Sequence, residues 1–164
     1  MTQKEILLKQ MSACHNQKNW FVPMNDALSG LTPQQALWLD STESHSIWQI
    51  VNHLIFWNNR WLNRFKGIAM PKMEGDNEAT FSVKNGTQQE WLSAIKKLDE
   101  ILDEWETELK KADEIKLNNE AFQDYEDSWY DVIMQITIHN AYHIGQIVNL
   151  RKMQGSWDSK QGVQ

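Results

Sequence analysis

The stretch Ile138-His139-Asn140-Ala141-Tyr142-His143-Ile144-Gly145-Gln146 decides the fold, because it sets two histidines four residues apart inside an apolar pattern of helical period. Val132, Ile133, Ile136, Ile144, Ile147 and Leu150 recur at spacings of three and four, which predicts a helix with one core-facing stripe. Residues i and i+4 of a helix share a face, so His139 and His143 project together beside that stripe and can share one metal ion.

Working outward, this helix starts at an N-cap, Asp127 or Ser128, after a polar connection from Asn118 to Asp127, and runs to about Met153 before Gly155. Three more long helices precede it. The first covers residues 2–20, with Ile6, Leu7, Met11, Cys14 and Trp20 on its apolar face. Gly30-Leu31-Thr32-Pro33 reads as a break followed by a short helical turn capped by Thr32, covering one end of the domain. Ser46-Ile47-Trp48-Gln49 fits a capping box, and Ile47, Ile50, Leu54, Trp57, Trp61 and Phe65 then follow helical spacing as far as Gly67. Thr87-Gln88-Gln89-Glu90 is a second capping box, opening a helix marked by Trp91, Ile95, Leu98, Leu102, Trp105 and Leu109.

Between the two capped helices, Gly67 to Gly86 holds no sustained period, apart from a short extended piece expected at Thr80-Phe81-Ser82-Val83. A connection of about twenty residues is unnecessary between antiparallel neighbours but can run the length of a bundle and join two parallel helices. Strand-like alternation is nearly absent. The sequence therefore predicts an all-α fold, a four-helix bundle with a long connection between helices 2 and 3, forming a single domain over residues 1–164.

Composition narrows the function classes. The 164 residues are 41% hydrophobic and include nine tryptophans, enough to fill one core, and Trp48, Trp57, Trp61, Trp91, Trp105 and Trp129 at helical positions are read as core, some lining a pocket or dimer face. No apolar run reaches transmembrane length, and Met1 to Lys9 is charged and lacks the features of a signal peptide, so a cytoplasmic location without membrane association is expected. One cysteine, Cys14, leaves no internal disulfide or thiolate cluster and is read as a buried, inert thiol, so histidine and carboxylate are the available ligands. The formal charge of −6 is uneven: residues 99–127 hold twelve acidic and three basic side chains. Such a segment repels phosphates and disfavours nucleic acid, and is read as a solvated helix face and loop.

The histidine pair alone fits two readings, a metal site or two polar residues at a bundle edge that satisfy themselves by hydrogen bonding. A third histidine favours the metal. His53 lies three residues after Ile50 and four before Trp57, beside the inward stripe of another helix, and bundle metal sites draw ligands from facing helices. His15 and His45 sit near helix ends and are assigned exposed structural roles. Gly145 makes room either for a facing helix or for a ligand approaching a metal. Asn140 stands where a zincin has its glutamate, so a zincin-type protease is not expected. Asn140, Tyr142, Gln146 and Asn52 are candidates to orient imidazoles or substrate, or simply face solvent. No nucleophile elbow, glycine-rich phosphate loop or C-x-x-C occurs.

The residues from Ser46 to Trp57, and from His139 to Ile147 followed by Leu150-Arg151, resemble the second-helix and last-helix signatures of the DinB/YfiT-like superfamily. Over most of the chain, the resemblance implies a four-helix bundle, a divalent metal on His53, His139 and His143, and commonly a homodimer. Characterised relatives include S-transferases that use bacillithiol or similar low-molecular-weight thiols, and a mycothiol-dependent isomerase; other members are described as metal-dependent hydrolases.

The expected function is a metalloenzyme in which three neutral imidazoles hold Zn²⁺ or Ni²⁺, with Fe and Mn as further candidates, and leave positions open. Its partner is a small molecule. A low-molecular-weight thiol from solution would become a thiolate and attack an electrophile. The alternatives are a metal-dependent hydrolase and a non-catalytic metal-binding or dimerisation module. No catalytic residue beyond the ligands is assigned.

Overall fold

Four long helices carry the fold in a computed structural model that describes residues 1–41, 44–123 and 125–162. They are α1 (Gln3–His15), α4 (Ile47–Phe65), α5 (Gln88–Lys111) and α7 (Trp129–Met153), with the short helices α2 (Met24–Leu28), α3 (Pro33–Leu37) and α6 (Glu114–Asn118) in the connections. Every long helix opens on a capping box. Thr2, Ser46, Thr87 and Ser128 each accept from the N3 amide, and Glu5, Gln49, Glu90 and Asp131 reach back to the cap amide.

Two clusters of buried side chains fill the interior and fix the helix directions. One joins the beginning of α4 (Ile47, Trp48, Ile50, Leu54) to the beginning of α5 (Trp91, Leu98) and the end of α7 (Ile144, Ile147, Leu150). The other joins the end of α4 (Leu62, Phe65) to the end of α5 (Trp105, Leu109), the beginning of α7 (Trp129 to Ile136) and the early part of α1 (Leu7, Met11). Hence α4 and α5 run parallel, and α1 and α7 run parallel to each other and against them. The parallel pair explains the long connection, residues 66–87, which must travel the length of the bundle.

Several sequence expectations shift in detail. Helix α1 ends at His15, not residue 20, and Trp20 is 96% exposed, because Asn16 caps the helix and only the α1 positions before it meet α5 and α7. Thr80 and Phe81 belong to a 3₁₀ turn, Asn77–Phe81, instead of an extended piece. The Asp76 carboxylate accepts from the Ala79 amide and the Thr80 hydroxyl donates to the Asn77 carbonyl, so local bonds close the turn where no partner strand exists. Among the described residues there is no strand, only an isolated bridge between Glu120 and Ser128. No described helix is long and apolar enough to cross a membrane.

Candidate metal centre

On α4 the buried stripe passes from one core cluster to the other between Leu54 and Leu62, and on α7 between Ile136 and Ile144. His139 and His143 stand at this junction, and His53 stands one residue before it. Their ligand atoms lie within 4.8 Å of one another, with His139 Nε2 at 3.1 Å from His53 Nε2 and 3.0 Å from His143 Nε2. His53 and His143 are buried and His139 is partly so. The three rings form one wall of a cavity of about 770 Å³, and Trp57, Trp61, Phe81 and Gln146 also line it.

The hydrogen bonds behind the rings determine what faces the centre. The Thr80 hydroxyl donates to the Asn77 carbonyl at 2.6 Å, so its oxygen accepts the 2.7 Å bond from His53 Nδ1–H. The Gln146 Oε1 atom can only accept, so His143 Nδ1 also carries its proton, across 2.7 Å; the Gln146 Nε2 group donates to the Tyr142 hydroxyl, which orients the amide. His53 and His143 therefore turn Nε2 lone pairs toward His139. One N–H on His139 cannot satisfy both. A centre with more lone pairs than protons has the donor chemistry of a cation site, and histidine ligands of metals are held this way, by a bond to the opposite ring nitrogen. Two imidazole nitrogens on one tetrahedral Zn²⁺ stand about 3.3 Å apart, so the observed spacings fit after small adjustments.

Charge points the same way. Burial, together with the neighbouring imidazoles, pushes His53 down to about 3, and burial beside His143 pushes His139 down to about 4. His143 is also lowered by burial, partly offset by its bond to Gln146. All three are neutral at pH 7, the form in which imidazole binds metal.

The remaining expectations divide. Gln146 and Tyr142 do orient an imidazole, but Asn140 does not: it exchanges two amide bonds with Asn58, at 2.9 and 3.0 Å, in the buried interface between α4 and α7. Asn52 holds the connection, donating to the Ser82 carbonyl. A Cβ on Gly145 would meet nothing within 4 Å, so no facing helix explains it. Cys14 is buried, donates to the Thr137 carbonyl and is raised by burial to about 11, an inert thiol. His15 is 2% exposed, against the exposed role expected, and bridges Asp99 (2.7 Å) and Glu106 (3.3 Å) of α5. His45 also departs from expectation by lining the cavity. Thr80 and Phe81 had no signal in the sequence, since they act from a segment without period.

The family model of the DinB superfamily matches residues 24–147, three quarters of the chain. The chain belongs to the DinB superfamily. Its fold is similar to that of YfiT from Bacillus subtilis, described as a probable metal-dependent hydrolase with an unusual four-helix bundle topology, with a TM-score of 0.72 over 94% of this chain and 89% of that one. Sequence identity is 16%, so the likeness carries the bundle and not the reaction. The chain matches no curated protein sequence. As a DinB protein it has the histidine arrangement a divalent metal would suit, on the side of the bundle where α4 meets α7.

Proposed function

We propose that this DinB protein is a metalloenzyme that holds Zn²⁺ or Ni²⁺ on His53, His139 and His143 and turns a low-molecular-weight thiol into a nucleophile for S-transfer. The observation that carries the reading is the meeting of two Nε2 lone pairs on His139 Nε2 at the wall of a cavity large enough for a small molecule. A divalent ion there would lower the pKa of a ligand thiol, so that it reacts as thiolate near neutral pH. The chain's own residues supply the rest. Thr80 and Gln146 fix the imidazoles, while Trp57, Trp61 and Phe81 give the cavity apolar walls against which the electrophile's carbon skeleton packs and water is excluded. Sulfur forms its bond to carbon as the electrophile's leaving group departs with the electron pair.

One feature favours thiol over water as the nucleophile: a thiol ionises near pH 8.5, so it needs far less activation than water. The hydrolase alternative draws on the description of YfiT. The reading assumes a cytoplasmic location, where thiols stay reduced, a homodimer, and no nucleic-acid or membrane partner. A panel of thiols against alkyl halides, epoxides and Michael acceptors tests it: metal-loaded protein is expected to show thiol-dependent loss of an electrophile, abolished by a chelator. Turnover of esters or amides without thiol would replace it by the hydrolase, and no turnover in either panel by a non-catalytic module.

A further inference from the structure

His45 lies outside the histidine triad, yet its ring faces the same cavity and is held on both sides of its chemistry. It stacks on Phe81 with centroids 3.8 Å apart and planes 14° from parallel, and the Phe81 ring stacks in turn on His53 at 4.0 Å and 12°. One phenyl ring is thus clamped between two imidazoles, which puts the His45 ring at most about 8 Å from that of His53. Its backbone precedes Ser46, the buried N-cap of α4, so a rigid helix start sets its position. The His45 Nε2 atom lies 3.0 Å from a Glu78 carboxylate oxygen. A carboxylate only accepts, so Nε2 carries the proton and Nδ1 keeps the basic lone pair.

We propose that His45, oriented by Glu78, is the proton acceptor for the nucleophile in the metal cavity; this rests on the thiol reading above. The cavity that His45 and the triad both line, about 770 Å³, has room for a bound thiol and a water between them. In the step, the S–H bond breaks, its electron pair stays on sulfur, and the proton forms a new bond at His45 Nδ1. The imidazolium is then held against the Glu78 carboxylate, in the manner of a base steadied by a third group, until the proton passes to the leaving group or to solvent. Phe81 keeps the acceptor beside the cavity while separating it from the ring of His53.

The first test is the tautomer of His45 in the metal-free protein, read from two-bond ¹H–¹⁵N couplings of its ring. The Nε2–H form is expected, and an Nδ1–H form would overturn the assignment. The second follows thiolate formation by ultraviolet absorbance when benzyl mercaptan is mixed with Zn²⁺-loaded protein. His45→Gln is expected to slow it about 10²-fold, with free imidazole in solution restoring part of the rate, and Glu78→Gln to slow it less. Both variants are expected to keep wild-type zinc content; zinc loss in His45→Gln would mean that His45 is a ligand and not the acceptor. Equal rates of thiolate formation in all three proteins would overturn the His45 assignment alone. Failure of every protein to bind the thiol would overturn the thiol reading, and the assignment with it.

Discussion

Replacing Thr80 by valine keeps the side chain's shape and removes one oxygen, the acceptor for His53 Nδ1–H. Both residues are buried, Thr80 7% and His53 3% exposed, so water does not replace the lost partner. A buried donor left without acceptor costs about 1–3 kcal/mol. The imidazole escapes that cost by moving its proton to Nε2, but the proton then faces the centre and blocks the lone pair a metal needs. At about 1.4 kcal/mol per tenfold, the expected loss of Zn²⁺ affinity is about 10–100-fold, the size usual for partners behind a metal-binding histidine. Competition for Zn²⁺ against a chromophoric chelator measures it, with circular dichroism confirming unchanged helicity. Thr80→Ser restores the oxygen and is expected to bind within about threefold of wild type. Equal affinity in the valine, serine and wild-type proteins would refute the argument that this hydroxyl holds His53 in its metal-binding tautomer.

Three further outcomes follow from the same geometry. In metal-free protein, folded His53 (about 3) and His139 (about 4) sit below the ordinary 6.5, so the unfolded chain binds more protons in that window. Their contribution to stability is complete above pH 6.5 and is lost as pH falls toward 4; urea midpoints at pH 7.5 and 5 should differ by less in a His53→Gln/His139→Gln protein, and an equal drop would count against it. Asn140→Leu leaves the Asn58 Oδ1 without a donor in the α4–α7 interface, while Nδ2 keeps the Leu54 carbonyl, and should cost about 1–3 kcal/mol by urea unfolding, with Asn58→Leu/Asn140→Leu costing less than the sum of the single changes. Gly145→Ala adds a methyl to open space inside a helix, so a gain of about 0.8–1.0 kcal/mol, or roughly 2–4 °C in Tm, is expected; a lower Tm would show a contact at this position.

The elements that the sequence announced are those built from local rules. Ser46 with Gln49 and Thr87 with Glu90 mark helix starts because a capping box is closed by residues three apart, and the buried faces of α4 and α7 repeat at helical spacing. His53, His139 and His143 were legible for the same reason. Helices α2 and α6, five residues each, are too short to show a period, and Asp113, which caps α6, sits in a run of charge that masks the signal. Phe81 lines the cavity, and Thr80 and Glu78 meet His53 and His45, only because the connection folds back over α4, a tertiary event that no local pattern encodes. His15 shows the converse: its place near a helix end suggested exposure, and α5 buries it with two carboxylates for partners.

The central claim is that His53, His139 and His143 together form a metal site, and elemental analysis by mass spectrometry tests it most directly. Untagged wild-type protein and a His143→Ala variant would be reloaded side by side with Zn²⁺, Ni²⁺ or Mn²⁺ and desalted. A stoichiometric divalent metal in wild type, absent from a variant of unchanged helicity, is the predicted result. A wild-type protein that takes up none of these ions, or a variant that binds as much metal as wild type, would contradict it.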